Sequence, residues 1–257
     1  MTWYQSIILG IVQGITEFLP ISSSAHLVVI PEILGWEAHS TSFDIILHAG
    51  TLVAILIFFW KDIRNIILNL SEKNNWKLVL NILITAIPAG IIGFLFKDFI
   101  DSYFKSISSI SIMLILLGVI MLFIKDKKIK KRIETLSLFD SLYIGIGQIL
   151  SLIRGTSRSG VTIISGKLVG LDLKQSAKYS FLAGIPLLVG VCAYQLLDFY
   201  SQGFGQTSPS NLLLGFLSSL LSGLIAIQFL MKILEKWGLK GFGAYRIILG
   251  LLLFILN

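Results

Sequence analysis

The chain has 257 residues, of which 55% are hydrophobic and only 14% are charged. Soluble domains carry about 25% charged residues, so this composition excludes an ordinary soluble protein. The 21 Lys and Arg outnumber the 14 Asp and Glu and give a net charge of +7. Because these charges lie in short loops between apolar runs, they indicate membrane topology and argue against a nucleic-acid partner. The single cysteine, Cys192, excludes an intrachain disulfide.

Apolar runs predict an all-α integral membrane protein with about ten helical segments, five in each half. The first two segments of each half are too short to cross a bilayer, which takes about 20 residues. We interpret each of these pairs as a re-entrant helical hairpin, which is tolerated at membrane depth where protein buries the turn. The predicted segments are 3–18, 22–34, 43–60, 77–96, 106–124, 138–153, 157–170, 174–197, 211–232 and 242–256.

The first hairpin, residues 3–34, turns at Pro20 to Ser24. Neither a basic stretch nor a small-residue cleavage site of a signal peptide occurs at its start, so we expect it to belong to the mature protein. Gln13 and Glu17 are four residues apart and share one helix face. That face can hold a divalent cation through oxygen ligands or position a water molecule.

The second helix of this hairpin opens with Ser22, Ser23 and Ser24, which are typical N-cap residues. The free N–H groups and the positive dipole end at such a helix start also favour an anion. His26 is one turn further on, where it can reach the same pocket as Ser23.

Two other histidines follow. His39 lies in a predicted external loop next to Ser40, and we expect it to be solvated. His48 begins the third segment, and we expect it to pack in the core or to line a cavity. No His and Cys residues have the spacing of a zinc site.

A basic run from Lys125 to Arg132 separates the halves. The predicted division is an N-terminal repeat over 1–124, a basic cytoplasmic linker over 125–137 and a C-terminal inverted repeat over 138–257. Each repeat begins with its hairpin, 3–34 or 138–170, and continues with three transmembrane helices.

The turn of the second hairpin has the character of an anion site. Small and hydroxyl residues again open a helix, and Arg158 adds a planar donor fork that suits phosphate oxygens. An ordinary N-cap remains the alternative for each serine run taken alone. The residues of this turn are Gly155, Thr156, Ser157, Arg158, Ser159 and Gly160.

The two hairpins follow one sequence pattern. Residues 10–26 align with residues 145–161 after a shift of 135 positions, which is an internal repeat. The matched pairs are Gly10 with Gly145, Gln13 with Gln148, Ser22 with Ser157 and Ser24 with Ser159.

The two copies differ in their charged groups, since the first carries Glu17 and His26 and the second carries Arg154 and Arg158. Ionisable groups at membrane depth cost about 2.5 to 3.5 kcal/mol on insertion scales, so they require partners. If the tips meet, Glu17 and Arg158 serve either as functional groups or as an ion pair that locks the tips. The spacing leaves both interpretations open.

Three crossings in each half force the second half to be inverted relative to the first. Under this topology sixteen of the 21 Lys and Arg lie on one side, which the positive-inside rule assigns to the cytoplasm. The first hairpin then enters from outside and the second from inside, so their tips meet near the midplane.

Two motifs resemble a known family. They are the run from Gln13 through Glu17 and Pro20 to His26, and the run from Gly155 to Gly160 with Thr162. Together they resemble the undecaprenyl pyrophosphate phosphatase family of the bacitracin-resistance type, and the similarity covers the full length. It implies a bacterial inner-membrane enzyme that releases the terminal phosphate of undecaprenyl pyrophosphate, recycles the cell-wall lipid carrier and confers bacitracin resistance. It also implies Mg²⁺ or Ca²⁺ as cofactor and an active site facing the periplasmic or extracellular side.

The same resemblance implies roles for individual residues. Gln13 and Glu17 match a metal-binding or water-positioning element, and Glu17 also counts among the catalytic groups. Ser23 and His26 match a proposed nucleophile and acid/base, and Arg158 matches a phosphate-binding arginine. The residues expected to bind substrate around them are Ser22, Ser24, Gly155, Thr156, Ser157, Ser159 and Thr162.

This chain departs from the family pattern at three positions. Arg154 stands where many members have proline, Ala25 replaces a common glycine, and Lys178 replaces a usual acidic residue. The changes at Arg154 and Lys178 predict an altered metal demand or substrate preference.

Several alternatives stay open at this point. Either Ser23 activated by His26 or a water molecule activated by Glu17 or His26 attacks phosphorus. The rival function is an inverted-repeat transporter or polyprenyl-phosphate translocase, which needs an anion site but no nucleophile. A type-2 acid phosphatase is disfavoured because Ile164 stands where its motif requires histidine. A homodimer is left open as the assembly.

Overall fold

The computed structural model describes residues 1–124, 131–202 and 207–256. Within these ranges the fold is all-α, and the one strand-like feature is an isolated bridge between Lys131 and Leu171. The α-helices are α1 (Trp3–Phe18), α2 (Ser23–Ile33), α3 (Thr41–Phe58), α4 (Trp60–Leu68), α5 (Lys73–Leu95), α6 (Lys97–Tyr103), α7 (Ile107–Phe123), α8 (Leu138–Ile149), α9 (Arg158–Val169), α10 (Leu173–Gln202), α11 (Pro209–Trp237) and α12 (Lys240–Leu256).

All ten predicted segments are helical, and their ends lie within five residues of the predicted ends. The predicted loops were less accurate. Helices α4 and α6 occupy stretches predicted as loops, and α11 continues to Trp237 through most of the predicted loop 232–240. Of the predicted linker 125–137, residues 125–130 lie outside the described residues, and the division into two repeats stays a prediction.

The stretch that forms α4 was predicted as a loop because of its charged residues, but it is an amphipathic helix. Lys61 and Asp62 supply charge to a segment in which Trp60 is 60% exposed and Ile67 is 64% exposed. The chain bends by 69° between Ser42–Phe58 and Trp60–Leu68. A charged stretch with apolar residues at helical spacing therefore forms a surface helix here, where charge alone suggested a loop.

Three helical stretches are long and apolar enough to cross a membrane: Lys73–Leu95, Leu173–Ala193 and Pro209–Trp237. The bent pair α3 and α4 would be a fourth. Helices α7 and α12 have 17 residues each, which is about 25 Å of helix against a hydrocarbon core of about 30 Å. The fold is therefore that of an all-α membrane protein, and the six-crossing inverted topology stays a prediction.

The two halves are packed crosswise. Helix α1 of the first half packs along α11 of the second, and α8 of the second half packs along α5 of the first. A side chain at Gly10 would place Cβ 2.6 Å from the carbonyl oxygen of Gly215, and one at Gly145 would place it 2.8 Å from that of Thr85. These two repeat-equivalent glycines allow the close backbone approach that membrane helix packing favours.

Candidate active site

The two hairpin turns share one unusual backbone feature. Ser22 has φ 77° and Ser157 has φ 73°, and within the described ranges these are the non-glycine residues with positive φ. Such backbone conformations cost of order 1–3 kcal/mol and persist only where the surroundings enforce them. Each serine also caps the helix that follows, since Ser22 Oγ accepts from the Ala25 amide at 3.4 Å and Ser157 Oγ from the Gly160 amide at 3.2 Å.

Because each cap has the same geometry, the first residues of α2 and α9 occupy equivalent places. These residues are Ser23 and Arg158, and both bind the carboxylate of Glu17. Ser23 Oγ donates to Oε2 at 2.8 Å, and Arg158 Nη2 donates to Oε1 at 2.8 Å. The side-chain amide of Gln13 donates to Oε2 at 3.2 Å. The structure thus brings together four of the predicted site residues from two tips far apart in sequence.

Helix α10 supports the arginine. Arg158 Nη1 donates to the carbonyl oxygen of Ser180 at 3.3 Å. A Cβ at Gly184 would lie 2.0 Å from Arg158 Nη1, so a side chain there would displace the guanidinium from this position. Thr162 is buried, donates to the Arg158 carbonyl oxygen at 2.8 Å and bonds to Ser180 Oγ, which places it behind the arginine.

The other predicted substrate-binding serines hold the tips to one another. Ser24 Oγ accepts from the Gly155 amide at 3.3 Å, and Ser159 Oγ donates to the carbonyl oxygen of Leu19 at 3.5 Å. Each also bonds to its own cap serine at 3.2 Å. Their hydroxyl groups are therefore engaged in structure, whereas Ser23 is aimed at Glu17.

His26 was expected to reach the same pocket as Ser23, and in the described ranges its ring bonds to two other groups. Its Nδ1 lies 2.7 Å from the carbonyl oxygen of Ser22 and its Nε2 lies 2.7 Å from Tyr245 Oη. A carbonyl oxygen only accepts, so Nδ1 carries the hydrogen and neutral Nε2 accepts from the tyrosine. Both ring nitrogens are then occupied.

His48 lies at the site, although its sequence position suggested only packing or a cavity wall. Its Nδ1 donates to the carbonyl oxygen of Asp44 at 2.8 Å, and its Nε2 faces Glu17 Oε2 at 3.9 Å. His39 was expected to be solvated, and this was wrong, because its Nε2 pairs with Asp44 Oδ1 at 2.6 Å and its side chain is 10% exposed. The Ser40 cap turns the chain so that Asp44 meets His39.

Arg246 was missed as a site residue. It is fully buried, and its guanidinium donates to carbonyl oxygens of both tips: Pro20 at 3.2 Å, Gly155 at 2.9 Å and Thr156 at 3.1 Å. A fourth bond, at 3.2 Å, goes to the carbonyl oxygen of Met113 in α7. The position of this arginine within an apolar segment was a sequence signal for it.

The two charged departures from the family pattern differ in their surroundings. Lys178 pairs with Asp62 of α4 at 2.6 Å, a partner that the loop assignment of α4 concealed. Arg154 is half-buried at the second tip, and in the ranges described it has neither a hydrogen bond nor an ion pair.

The site offers few groups to a metal ion. In the part of the chain that the structure describes, no three His, Cys, Asp or Glu side chains cluster as a metal site. Glu17 already accepts from Arg158 and Ser23, and the Gln13 amide oxygen is buried without a partner. Mg²⁺ is commonly bound by one or two carboxylates together with substrate phosphates. Glu17 and the Gln13 amide oxygen are the groups here that could hold such a cation together with a phosphorylated ligand, if the cation replaced hydrogen-bond donors that Glu17 now accepts from.

Comparisons with known proteins agree with this picture. A family model described as bacitracin resistance protein BacA matches residues 6–252. The chain is similar to the undecaprenyl-diphosphatase of Thermodesulfovibrio yellowstonii, with 45% identity over 98% of this chain and 96% of the relative. The undecaprenyl-diphosphatase of Halothermothrix orenii is 40% identical over 100% of this chain and 98% of its own length. That of Caldicellulosiruptor bescii is 40% identical over 97% and 95%.

Proposed function

The chain belongs to the bacitracin resistance protein BacA family, and from this premise we propose that it hydrolyses undecaprenyl diphosphate within a membrane. The products are undecaprenyl phosphate and inorganic phosphate, so the reaction recycles the lipid carrier of cell-wall synthesis and supports resistance to bacitracin. The isoprenoid chain would lie among apolar helices, where each buried CH₂ contributes about 0.8 kcal/mol.

The observation that carries the mechanism is the contact of Ser23 and Arg158 with one carboxylate. The hydroxyl group of Ser23 points its hydrogen at Glu17 Oε2. Glu17 is therefore placed to take that proton while Ser23 Oγ attacks the terminal phosphorus. The P–O bond to undecaprenyl phosphate breaks, and the lipid phosphate leaves.

Arg158 would move from Glu17 to the phosphoryl oxygens and stabilise the charge that spreads over them in the transition state. Glu17 passes the serine proton to the leaving lipid phosphate and is again a carboxylate. It then deprotonates a water molecule that attacks the phosphoserine, and it returns that proton to Ser23 Oγ as the bond between phosphorus and serine breaks and inorganic phosphate leaves. The 2.8 Å bond of Ser23 to Glu17 favours attack by serine over direct attack by water. His26 is not placed for either step, because both of its nitrogens are occupied.

A divalent cation, Mg²⁺ or Ca²⁺, belongs to the proposal. Glu17 and Gln13 would hold it together with oxygens of the diphosphate, and it would neutralise part of the ligand's negative charge. Arg158 pairs with the Glu17 carboxylate, Arg246 bonds to the backbone of both tips, and Arg154 lies in the second tip. This excess of positive charge at the tips also suits an anionic ligand.

We also assign the protein to the cytoplasmic membrane of a bacterium, with the active site open to the periplasmic or extracellular side. The support is the distribution of Lys and Arg between the two sets of loops, which places the first hairpin on the outer side.

The decisive measurement is phosphate release from undecaprenyl diphosphate by the purified wild type, with Mg²⁺, with Ca²⁺ and with a chelator. We expect release that depends on the divalent cation. Folded protein that binds the substrate without releasing phosphate would contradict the proposal. Movement of a labelled polyprenyl phosphate across liposomes by that same protein would favour the translocase.

A further inference from the structure

Helix α12 reaches both hairpin tips through two consecutive residues. Arg246 donates to carbonyl oxygens of Pro20 in the first tip and of Gly155 and Thr156 in the second. A buried guanidinium normally meets a carboxylate, yet the partners found for Arg246 in the described ranges are backbone carbonyls. Its hydrogen bonds therefore fix two turns relative to each other.

Tyr245 adds a second connection to the first tip. Its hydroxyl group lies 2.7 Å from His26 Nε2, the two rings are stacked with a 7° interplanar angle, and His26 Nδ1 lies 2.7 Å from the carbonyl oxygen of Ser22. Tyr245 is thus connected through His26 to the strained residue that precedes Ser23.

The carbonyls held in this way flank the two strained caps. Ser22 itself is held through His26, and Thr156 directly precedes Ser157. Positive φ at serine persists only where neighbouring groups determine it. These two caps in turn direct Ser23 and Arg158 toward Glu17.

We propose that Tyr245 and Arg246 are positioning residues, which hold Ser23 and Arg158 in the geometry needed for phosphoryl transfer. His26 belongs to this arrangement as the link between Tyr245 and Ser22, and it does not exchange a proton with Ser23. The inference rests on the proposed phosphatase function and assigns to α12 a role in it.

A double-mutant cycle on His26 and Tyr245 tests the link. We expect His26→Gln and Tyr245→Phe each to lower kcat about tenfold with little change in KM, since each removes the same connection. The double variant should be no slower than the slower single variant. Tyr143 is half-exposed, and its hydroxyl group makes no hydrogen bond to the residues that the structure describes. Tyr143→Phe removes that hydroxyl group and should leave kcat unchanged.

A catalytic acid or base at position 26 gives a different pattern. His26→Gln would then lower kcat by about 10²-fold or more, one limb of the pH–kcat profile would vanish, and Tyr245→Phe would stay near wild type. That result, or additive losses in the double variant, overturns the inference. An unchanged shape of the pH profile in His26→Gln supports it.

Arg246→Lys tests the other connection, because a lysine keeps the positive charge but cannot bridge both tips. We expect kcat per folded molecule to fall by roughly 100-fold. A wild-type kcat in folded Arg246→Lys contradicts the role of Arg246. If this variant does not fold, the His26–Tyr245 cycle decides whether the positioning role holds.

A wild type that releases no phosphate contradicts the proposed function itself, whereas additive losses in an active enzyme contradict only the positioning role.

Discussion

The two hairpins, α1 with α2 and α8 with α9, have the same backbone geometry and different chemistry. Their caps have φ values of 77° and 73°, and the first helical residue after each cap contacts Glu17. In the first hairpin that residue is Ser23, the proposed nucleophile, and in the second it is a cation, Arg158. Both copies of the repeat therefore direct the first residue of a helix toward Glu17. The groups proposed to carry out the reaction are those that differ between the copies.

The comparison also explains why one site forms where a symmetric fold could form two. The position equivalent to Glu17 in the second hairpin is Leu152, and the position equivalent to His26 is Val161. Without a second carboxylate, the two tips share Glu17. Substitutions at equivalent positions should then have unequal effects on activity and similar effects on packing.

The largest effect is expected at the cation of the second hairpin. Arg158→Ala removes the group that we propose to stabilise the transferred phosphoryl group, and it should lower kcat/KM for undecaprenyl diphosphate by about 10³-fold or more. Arg132→Ala removes an exposed arginine that pairs loosely with Glu134 at 3.6 Å, and it serves as the control. An Arg158→Ala enzyme within tenfold of wild type would show that the ion pair with Glu17 only locks the tips.

The equivalent position of the first hairpin tests the nucleophile. Ser23→Ala should lower kcat by roughly 10²- to 10⁴-fold, and Glu17→Gln by a similar factor, because each interrupts the same proton transfer. Ser102→Ala, on the exposed helix α6, is the matched control.

Acid quenching during turnover of substrate labelled in its terminal phosphate should trap a phosphoenzyme in wild type. Near-normal turnover by Ser23→Ala would instead assign the attack to water.

The sequence predicted most of this arrangement because its signals are local or repeated. Apolar runs located the ten helical segments, and the shared motif of the hairpins predicted that Glu17 and Arg158 meet in one site. Side-chain partners distant in sequence carry no such signal. The bonds from Arg246 to both tips, and that from Tyr245 to His26, depend on where α12 packs.

Two other misses have a shared physical cause. Charge was taken as a mark of loops, so α4 was missed and with it the Asp62 partner of Lys178. From its place near the start of the third segment, His48 was expected to pack in the core or to line a cavity, whereas its neighbour in space is Glu17. The distribution of charged residues along a membrane protein therefore predicts on which side of the bilayer a loop lies better than it predicts side-chain contacts.

Replacing the equivalent glycine of either hairpin by alanine should lower the stability of the protein by a similar amount. Gly10→Ala and Gly145→Ala each push a methyl group against the backbone of the opposing helix, and overpacking of this kind costs typically 1–3 kcal/mol. Gly90→Ala meets no atom within 4 Å and should be neutral or stabilising by about 0.5–1 kcal/mol, because alanine favours a helix interior. Thermal unfolding in detergent measures all three. Tolerance of alanine at one glycine alone would mean that the two crossings are not equivalent.

The smallest effect is expected at Arg154, which stands where the first hairpin has Leu19. Since Arg154 has neither a hydrogen bond nor an ion pair in the described ranges, it acts on an anionic ligand only through its charge. Half-exposed charges of this kind contribute about 0–1 kcal/mol, so Arg154→Gln should raise KM by up to about fivefold and leave kcat unchanged. The increase should shrink as Mg²⁺ or salt is raised, because counter-ions screen the lost charge.

Arg132→Gln makes the same charge change at the surface and should not alter KM. A loss in kcat at constant KM would mean that Arg154 contacts the transition state, and the second hairpin would then supply two catalytic cations.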